Sequence, residues 1–210
     1  MRVLYPPRPV CKILSGELAT YEASGKWVAQ RKFDGTRNLI HILASGEVEL
    51  FTRHGEHHKQ FELSSSLRNQ ILSLHIQGGL EYWLDGELLD AKTITLTYKG
   101  RIVLYDVLFA RKYLYGMDQM KRLELLRDMC YDPKEREPNL GIALRVSDDL
   151  WMAETFTAGF SQEYERFIDQ PEIEGLVLRR KNATLDNVGT RPYDVSWVLR
   201  CRKPHKNYAF

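Results

Sequence analysis

An α+β fold built largely on antiparallel sheets with flanking helices is expected from three observations on this 210-residue sequence. Compact or alternating apolar runs of strand length recur at 27–33, 37–43, 47–52, 83–89, 101–108, 142–147, 175–180 and 195–202. Several are joined by short glycine-containing turns, which suit antiparallel neighbours. Helical spacing is confined to three segments, roughly 62–75, 118–130 and 161–169.

Residues 1–26 read as a lead-in to the first strand, and no repeat or low-complexity linker divides the remaining chain, so residues 1–210 are expected to form one domain. The run 27–33, WVAQRKF, meets Asp34-Gly35, a strong hairpin signal between β-branched and aromatic residues. Along a strand Lys32 and Asp34 share a face, and Gly35 permits a sharp turn, so an amine and a carboxylate are expected in one pocket. In WLDGELLD, residues 83–90, alternation puts Asp85, Glu87 and, less regularly, Asp90 on one side. Asp118 is the expected N-cap of the second helix and Ser161 that of the third, which stops before Pro171. The polar stretch 132–139 is expected to be a surface loop.

With 43% hydrophobic and 28% charged residues the chain has the composition of an ordinary globular protein with a substantial core. Cys11, Cys130 and Cys201 are far apart and read as reduced thiols. No signal-peptide core is present, and no run approaches the roughly 20 apolar residues of a membrane span, so a cytoplasmic protein (nuclear in a eukaryotic source) with no membrane partner is expected. The net charge is only +2, yet basic residues crowd positions 179–206 (Arg179, Arg180, Lys181, Arg191, Arg200, Arg202, Lys203, Lys206), a distribution suited to phosphates. His54, His57 and His58 sit together in a polar loop without zinc-ligand spacing and are expected to face solvent.

A lysine nucleophile must lose its proton, and a neighbouring carboxylate opposes that. Lys32 therefore makes sense as a covalent site only where counterweights converge: Arg37, other bases and a divalent metal recruited by acids. Asp85 and Glu87 from one run and Glu174 from another are hard oxygen donors that suit Mg²⁺.

Lys32-x-Asp34-Gly35-x-Arg37, Thr52-Arg53-His54-Gly55, Asp85-Gly86-Glu87, Tyr105-Asp106-Val107-Leu108, Glu174-Gly175-Leu176-Val177-Leu178 and Trp197…Arg200-Cys201-Arg202 stand in the order of the nucleotidyltransferase motifs of ATP-dependent DNA ligases. From residue 27 to 203 the chain resembles that family; RNA ligases and mRNA capping enzymes share the series in looser form.

The resemblance implies a ligase-type nucleotidyltransferase (ATP-grasp-like) adenylation domain without the OB-fold domain usual in DNA ligases, so that a partner or the chain's own basic surface would grip the duplex. It implies that Lys32 attacks the α-phosphorus of ATP and carries AMP, with Asp34 and Arg37 in the catalytic set. Arg37 and Arg53 would engage the nucleotide and the end being sealed, Glu87 the ribose, and Tyr105 the purine face. Glu174, with Asp85 and Glu87, would hold Mg²⁺ or Mn²⁺. Arg200 and Arg202 replace a family pair of lysines at the α-phosphate, and Lys203 could serve after a one-residue shift. Gln30 replaces a glutamate that reads the adenine amine, and its carbonyl can accept the same hydrogen bond. Arg179, Arg180, Lys181, Arg191 and Lys206 are the candidate nucleic-acid contacts. The implied activity is that of a monomeric ATP-dependent polynucleotide ligase sealing 5′-phosphate/3′-hydroxyl nicks in duplex DNA. The alternatives are an RNA ligase, a capping-type guanylyltransferase and a non-catalytic nucleic-acid-binding module.

Overall fold

The computed structural model describes residues 3–110, 112–114, 116–131, 141–185, 189 and 191–204. Lys206 and the stretch 132–139 lie outside the described residues.

Strand alternation decides the architecture. One sheet runs in the order β1 (Arg8–Lys12), β12 (Asp194–Arg202), β11 (Ile173–Arg180), β2 (Trp27–Phe33) and β10 (Thr155–Phe156). Along it Ala29, Leu176, Leu178, Leu199 and Cys201 bury one face with helices α1 (Leu18–Ala23) and α4 (Phe160–Arg166). The alternate residues Gln30, Lys32, Val177, Arg179, Arg200 and Arg202 line the other face. Register aligns them in rows: Gly175 stands opposite both Lys32 and Arg202, and Val177 opposite both Gln30 and Arg200.

The second sheet runs β4 (Val48–Thr52), β3 (Thr36–Ile42), β5 (Tyr82–Leu88), β6 (Ile102–Ala110), β9 (Leu150–Met152) and β8 (Leu144–Arg145), with β7 (Lys112–Tyr113) paired to β6. Its apolar residues form the main core with α2 (Ser65–Leu72) and α3 (Gln119–Cys130). Pairing is antiparallel apart from β1 with β12 and β6 with β9. The result is the mixed α+β architecture expected of the sequence.

Four expectations change. The Asp34-Gly35 stretch does not close a hairpin: β2 pairs with β11 and β10, while β3 pairs with β4 and β5, so these two residues form the corner between the sheets. Gly35 is needed there for close approach, because a Cβ would collide with the Leu88 carbonyl oxygen and come within 2.8 Å of Glu87 Cγ. The third helix is capped at Gly159 rather than Ser161; the Glu22 carboxylate, from α1, accepts from the Gly159 and Phe160 N–H groups at 2.8 Å each. The run 142–147 resolves into the short β8, followed by β9. The lead-in carries β1 and α1, both built into the smaller sheet's layers. Asp118 caps α3 as expected, accepting from Lys121 N–H at 2.9 Å. No described helix is long and apolar enough to cross a membrane. The three cysteines are free.

Candidate active site

Between the two sheets lies a cleft of about 630 Å³. The smaller sheet supplies Gln30, Lys32, Glu174, Val177, Arg179, Val198, Arg200 and Arg202; the larger supplies Arg37, Glu87 and Tyr105, with Arg53 at the rim. The corner at Gly35 is why residues of both sheets meet so near Lys32.

Lys32 Nζ pairs with Glu174 Oε2 at 2.6 Å, and Arg202 Nε reaches the same oxygen at 3.2 Å. Opposite them Arg37 grips both oxygens of Asp85, which is fully buried. Glu87 stands in register with Arg37 and is 7% exposed. Burial is the main reason its carboxyl is pushed up to about 7; Lys32 and Arg37 pull it down, while Asp85 and Glu174 push it further up. Burial likewise holds the Tyr105 hydroxyl well above its ordinary range, so it stays neutral, and it is hydrogen-bonded to the Phe33 backbone. Burial, then Arg202, lowers the pKa of Arg200.

The raised Glu87 carboxyl makes stability pH-dependent with a definite sign. Between pH 4.5 and about 7 the folded protein holds a proton that the unfolded chain releases, so this carboxyl's contribution falls as pH rises through that window and is constant above it. Urea titrations of wild type and Glu87→Gln between pH 4.5 and 8 are expected to show the wild type losing about 3 kcal/mol relative to the variant. Parallel curves would refute the assignment.

Solved structures similar to this fold include DNA ligases. The ligase domain of M. tuberculosis LigD aligns over 93% of this chain and 58% of its own, at 18% identity and a TM-score of 0.57. Mycobacterial DNA ligase D complexed with ATP and MES aligns over 95% and 60%, at 16% identity and 0.59. The ATP-dependent DNA ligase of bacteriophage T7, complexed with ATP, aligns over 91% and 67%, at 14% identity and 0.55.

The fold is that of an ATP-dependent DNA ligase domain.

No protein-family model and no curated protein matches the sequence. The chain spans about three fifths of the length of the two mycobacterial ligases.

Within this ligase fold the residues anticipated from sequence divide. Lys32, Arg37, Arg53, Glu87, Tyr105, Glu174, Arg200 and Arg202 share the cleft. Asp34 does not: β2 ends at Phe33, the chain leaves the sheet, and the Asp34 carboxylate accepts from the Thr93 hydroxyl. Asp85 lines no open space either, and its occupation by Arg37 removes it from the acids available to a metal. Among the described residues no group of three or more His, Cys, Asp or Glu side chains could hold an ion. Lys203 also departs, donating to the Gln170 carbonyl at 2.6 Å, because alternation gives the cleft to Arg200 and Arg202. The basic stretch is not one face: Arg179 is buried at 4% exposure, whereas Arg180 and Arg191 are exposed. His54 and His57 are exposed, but His58 is half-buried, its Nε2 2.9 Å from Asn38 Oδ1.

Three features take no role from the sequence alone. Tyr5, Pro6, Pro7, Arg8 and Pro9 form part of the cleft wall, with Tyr5 donating to the His54 carbonyl at 3.1 Å. Asp106, fully buried, accepts from Arg122 Nε at 3.0 Å and Gln119 Nε2 at 3.1 Å beneath the cleft. Arg31 is buried beneath the opposite face, 4.0 Å from the Phe167 ring centroid and ion-paired with Glu163. The position of Asp106 beside Tyr105 in its motif is a signal for the first of the buried pair; nothing local points to the proline-rich wall.

Proposed function

We propose that this chain is the nucleotidyltransferase domain, spanning residues 1–210, of an ATP-dependent polynucleotide ligase that seals 5′-phosphate/3′-hydroxyl nicks in duplex DNA through AMP carried on Lys32. The observation that carries the reading is the Lys32 amine inside a cleft walled by Arg37, Arg200 and Arg202 and faced by Glu87 and Glu174. A surface lysine would have no use for that company.

Lys32 Nζ would attack the α-phosphorus: an N–P bond forms, the P–O bond to pyrophosphate breaks, and pyrophosphate leaves with the electron pair. The ammonium sheds one proton before attack and one after, and Glu174 Oε2 at 2.6 Å is an acceptor in reach. Arg200 and Arg202 supply fixed positive charge where negative charge builds on the phosphoryl oxygens. Tyr105 offers a neutral ring to the purine, and Glu87 an oxygen to the ribose. Transfer of AMP to a 5′-phosphate then activates it for attack by the 3′-hydroxyl, with AMP as leaving group.

Glu174 and Glu87, both facing the cleft, are the acids that would hold a hydrated divalent cation. Bound Mg²⁺ or Mn²⁺ would neutralise phosphate charge there. Arg53 at the rim, with exposed Arg180 and Arg191 and partly exposed Lys181, would meet the nucleic acid as a monomer, a further partner adding grip on the duplex. No membrane takes part, and a cytoplasmic setting, or nuclear in a eukaryote, suits the substrate. RNA strands are the second reading, favoured by the Arg200-Cys201-Arg202-Lys203 ending.

Incubation with α-labelled ATP or GTP and Mg²⁺, followed by denaturing electrophoresis, is expected to label wild type from ATP and to leave Lys32→Ala blank. Wild type is expected to seal an all-DNA nick that the variant leaves open. Label retained on Lys32→Ala would overturn the mechanism, label from GTP alone would indicate guanylyl transfer, and sealing of RNA alone would replace the substrate.

A further inference from the structure

We propose that Tyr5 and His54 are positioning residues for Arg53, holding its guanidinium at the cleft rim so that the Nη1/Nη2 edge takes the 5′-phosphate of the strand being sealed. The proposal rests on the ligase reading above and adds two residues to which the motif series gives no task.

Arg53 follows β4 directly, in a turn that the Gly55 N–H closes on the Thr52 carbonyl at 3.0 Å. It is exposed and lines the cleft. A free arginine at such a place samples many rotamers, and a phosphate that captured it would first have to order it. Here part of the ordering is already done. Nε donates to His54 Nε2 at 3.0 Å, and since a guanidinium carries no acceptor, the imidazole nitrogen must be the one that accepts. With Nε taken, the edge that remains for bidentate binding is Nη1/Nη2, whose two parallel N–H groups suit one phosphate.

His54 is itself held by a residue distant in the chain. The Tyr5 hydroxyl donates to the His54 carbonyl at 3.1 Å, and a Cβ on Gly55, where φ is 78°, would collide with the same hydroxyl. The turn bearing Arg53 is thus packed directly on Tyr5. Leu4, buried in the core of the larger sheet, anchors the segment on one side, and Tyr5 N–H donates to the Gly189 carbonyl at 3.1 Å. Pro6, Pro7 and Pro9 follow, their rings fixing φ, and then β1 pairs with β12. There Lys12 stands opposite Arg200, and Ile13 N–H donates to the Arg200 carbonyl at 3.0 Å. The segment from Leu4 to Ile13 is therefore a stiff tie between the turn carrying Arg53 on the larger sheet and the strand carrying Arg200 on the smaller. Two guanidiniums lining one cleft from different sheets are set against each other by it.

The test is binding of a nicked DNA duplex, carrying either a 5′-phosphate or a 5′-hydroxyl at the nick and a 3′-dideoxy end that cannot be sealed, by protein treated with labelled ATP and Mg²⁺ and then with a chelator. Wild type is expected to favour the phosphate by about tenfold or more, the worth of a charge-assisted bidentate contact. Arg53→Ala is expected to lose most of that preference, and Tyr5→Phe and His54→Ala about threefold to fivefold of it each, with thermal unfolding confirming that the variants fold. Because both residues act through Arg53, adding either change to Arg53→Ala is expected to alter nothing further. A merely structural role would weaken both duplexes alike and would persist in the Arg53→Ala background, and either result overturns the proposal. So does a full phosphate preference retained in Tyr5→Phe or His54→Ala. The label on the same samples keeps the two readings apart: a labelled wild type whose preference survives both changes sinks this proposal alone, whereas a wild type with neither label nor preference sinks the ligase reading with it.

Discussion

Asp106→Ala is expected to lower the unfolding free energy by about 3–5 kcal/mol, the range for removing one partner of a buried ion pair. Asp106 has no exposure, and its Oδ1 accepts from Val107 N–H at 2.9 Å and Arg122 Nε at 3.0 Å. Its Oδ2 accepts from Gln119 Nε2 at 3.1 Å and Arg122 Nη2 at 3.3 Å. Arg122, also without exposure, would keep its hydrogen bonds to the Met117 and Ala183 carbonyls but lose the carboxylate that balances its charge. Arg179 would lose an ion-pair partner at the same stroke. Pairing Asp106→Leu with Arg122→Met is expected to recover much of the loss, because the penalty belongs to the stranded charge rather than to the missing attraction. Urea titration followed by tryptophan fluorescence measures both; a loss under about 1 kcal/mol for Asp106→Ala would contradict the assignment.

Gly175→Ala is expected to cost about 3 kcal/mol or more, and to abolish adenylation in whatever fraction still folds. Its φ of 142° lies in a region that L side chains rarely adopt, and a Cβ would run into the Cys201 carbonyl oxygen and within 3.0 Å of Arg202 Cα. Backbone strain of about 1–3 kcal/mol adds to overpacking of about 1–3 kcal/mol. The functional loss follows from register: Gly175 stands opposite Lys32 on one side and Arg202 on the other, so a shift there moves the amine and a phosphate-facing guanidinium apart. Gly25→Ala separates the two contributions, since Gly25 has φ of 66° but nothing within 4 Å of its Cβ position. Equal destabilisation at both sites would show that the clash is unimportant.

The strands bearing the motifs are legible because their alternation is strong. In Ile173–Arg180 the apolar Leu176 and Leu178 bury one side, which leaves Val177 and Arg179 no choice but the other. The same period puts Arg200 and Arg202 together and excludes Lys203. What alternation does not show is where a strand ends and which sheet receives the next one. Asp34 and Gly35 have the local chemistry of a hairpin, yet β2 and β3 join different sheets, because each pairs along its length with strands from elsewhere in the chain, β2 with β11 and β3 with β5. Local spacing therefore puts Asp34 in the pocket and Asp85 on a metal, whereas one turns to Thr93 and the other is held by Arg37.

The order and identity of its residues, without coordinates, determined that this chain alternates sheet-forming runs carrying a lysine, four arginines and acids in the series of the DNA ligase motifs. Only the tertiary structure decided which of these share a cleft, that Arg179 is buried beside Gln30, and that Tyr5 through Pro9 wall the site. The physical reason is that alternation is a local consequence of backbone geometry, whereas the fate of each polar atom depends on partners dozens of residues away.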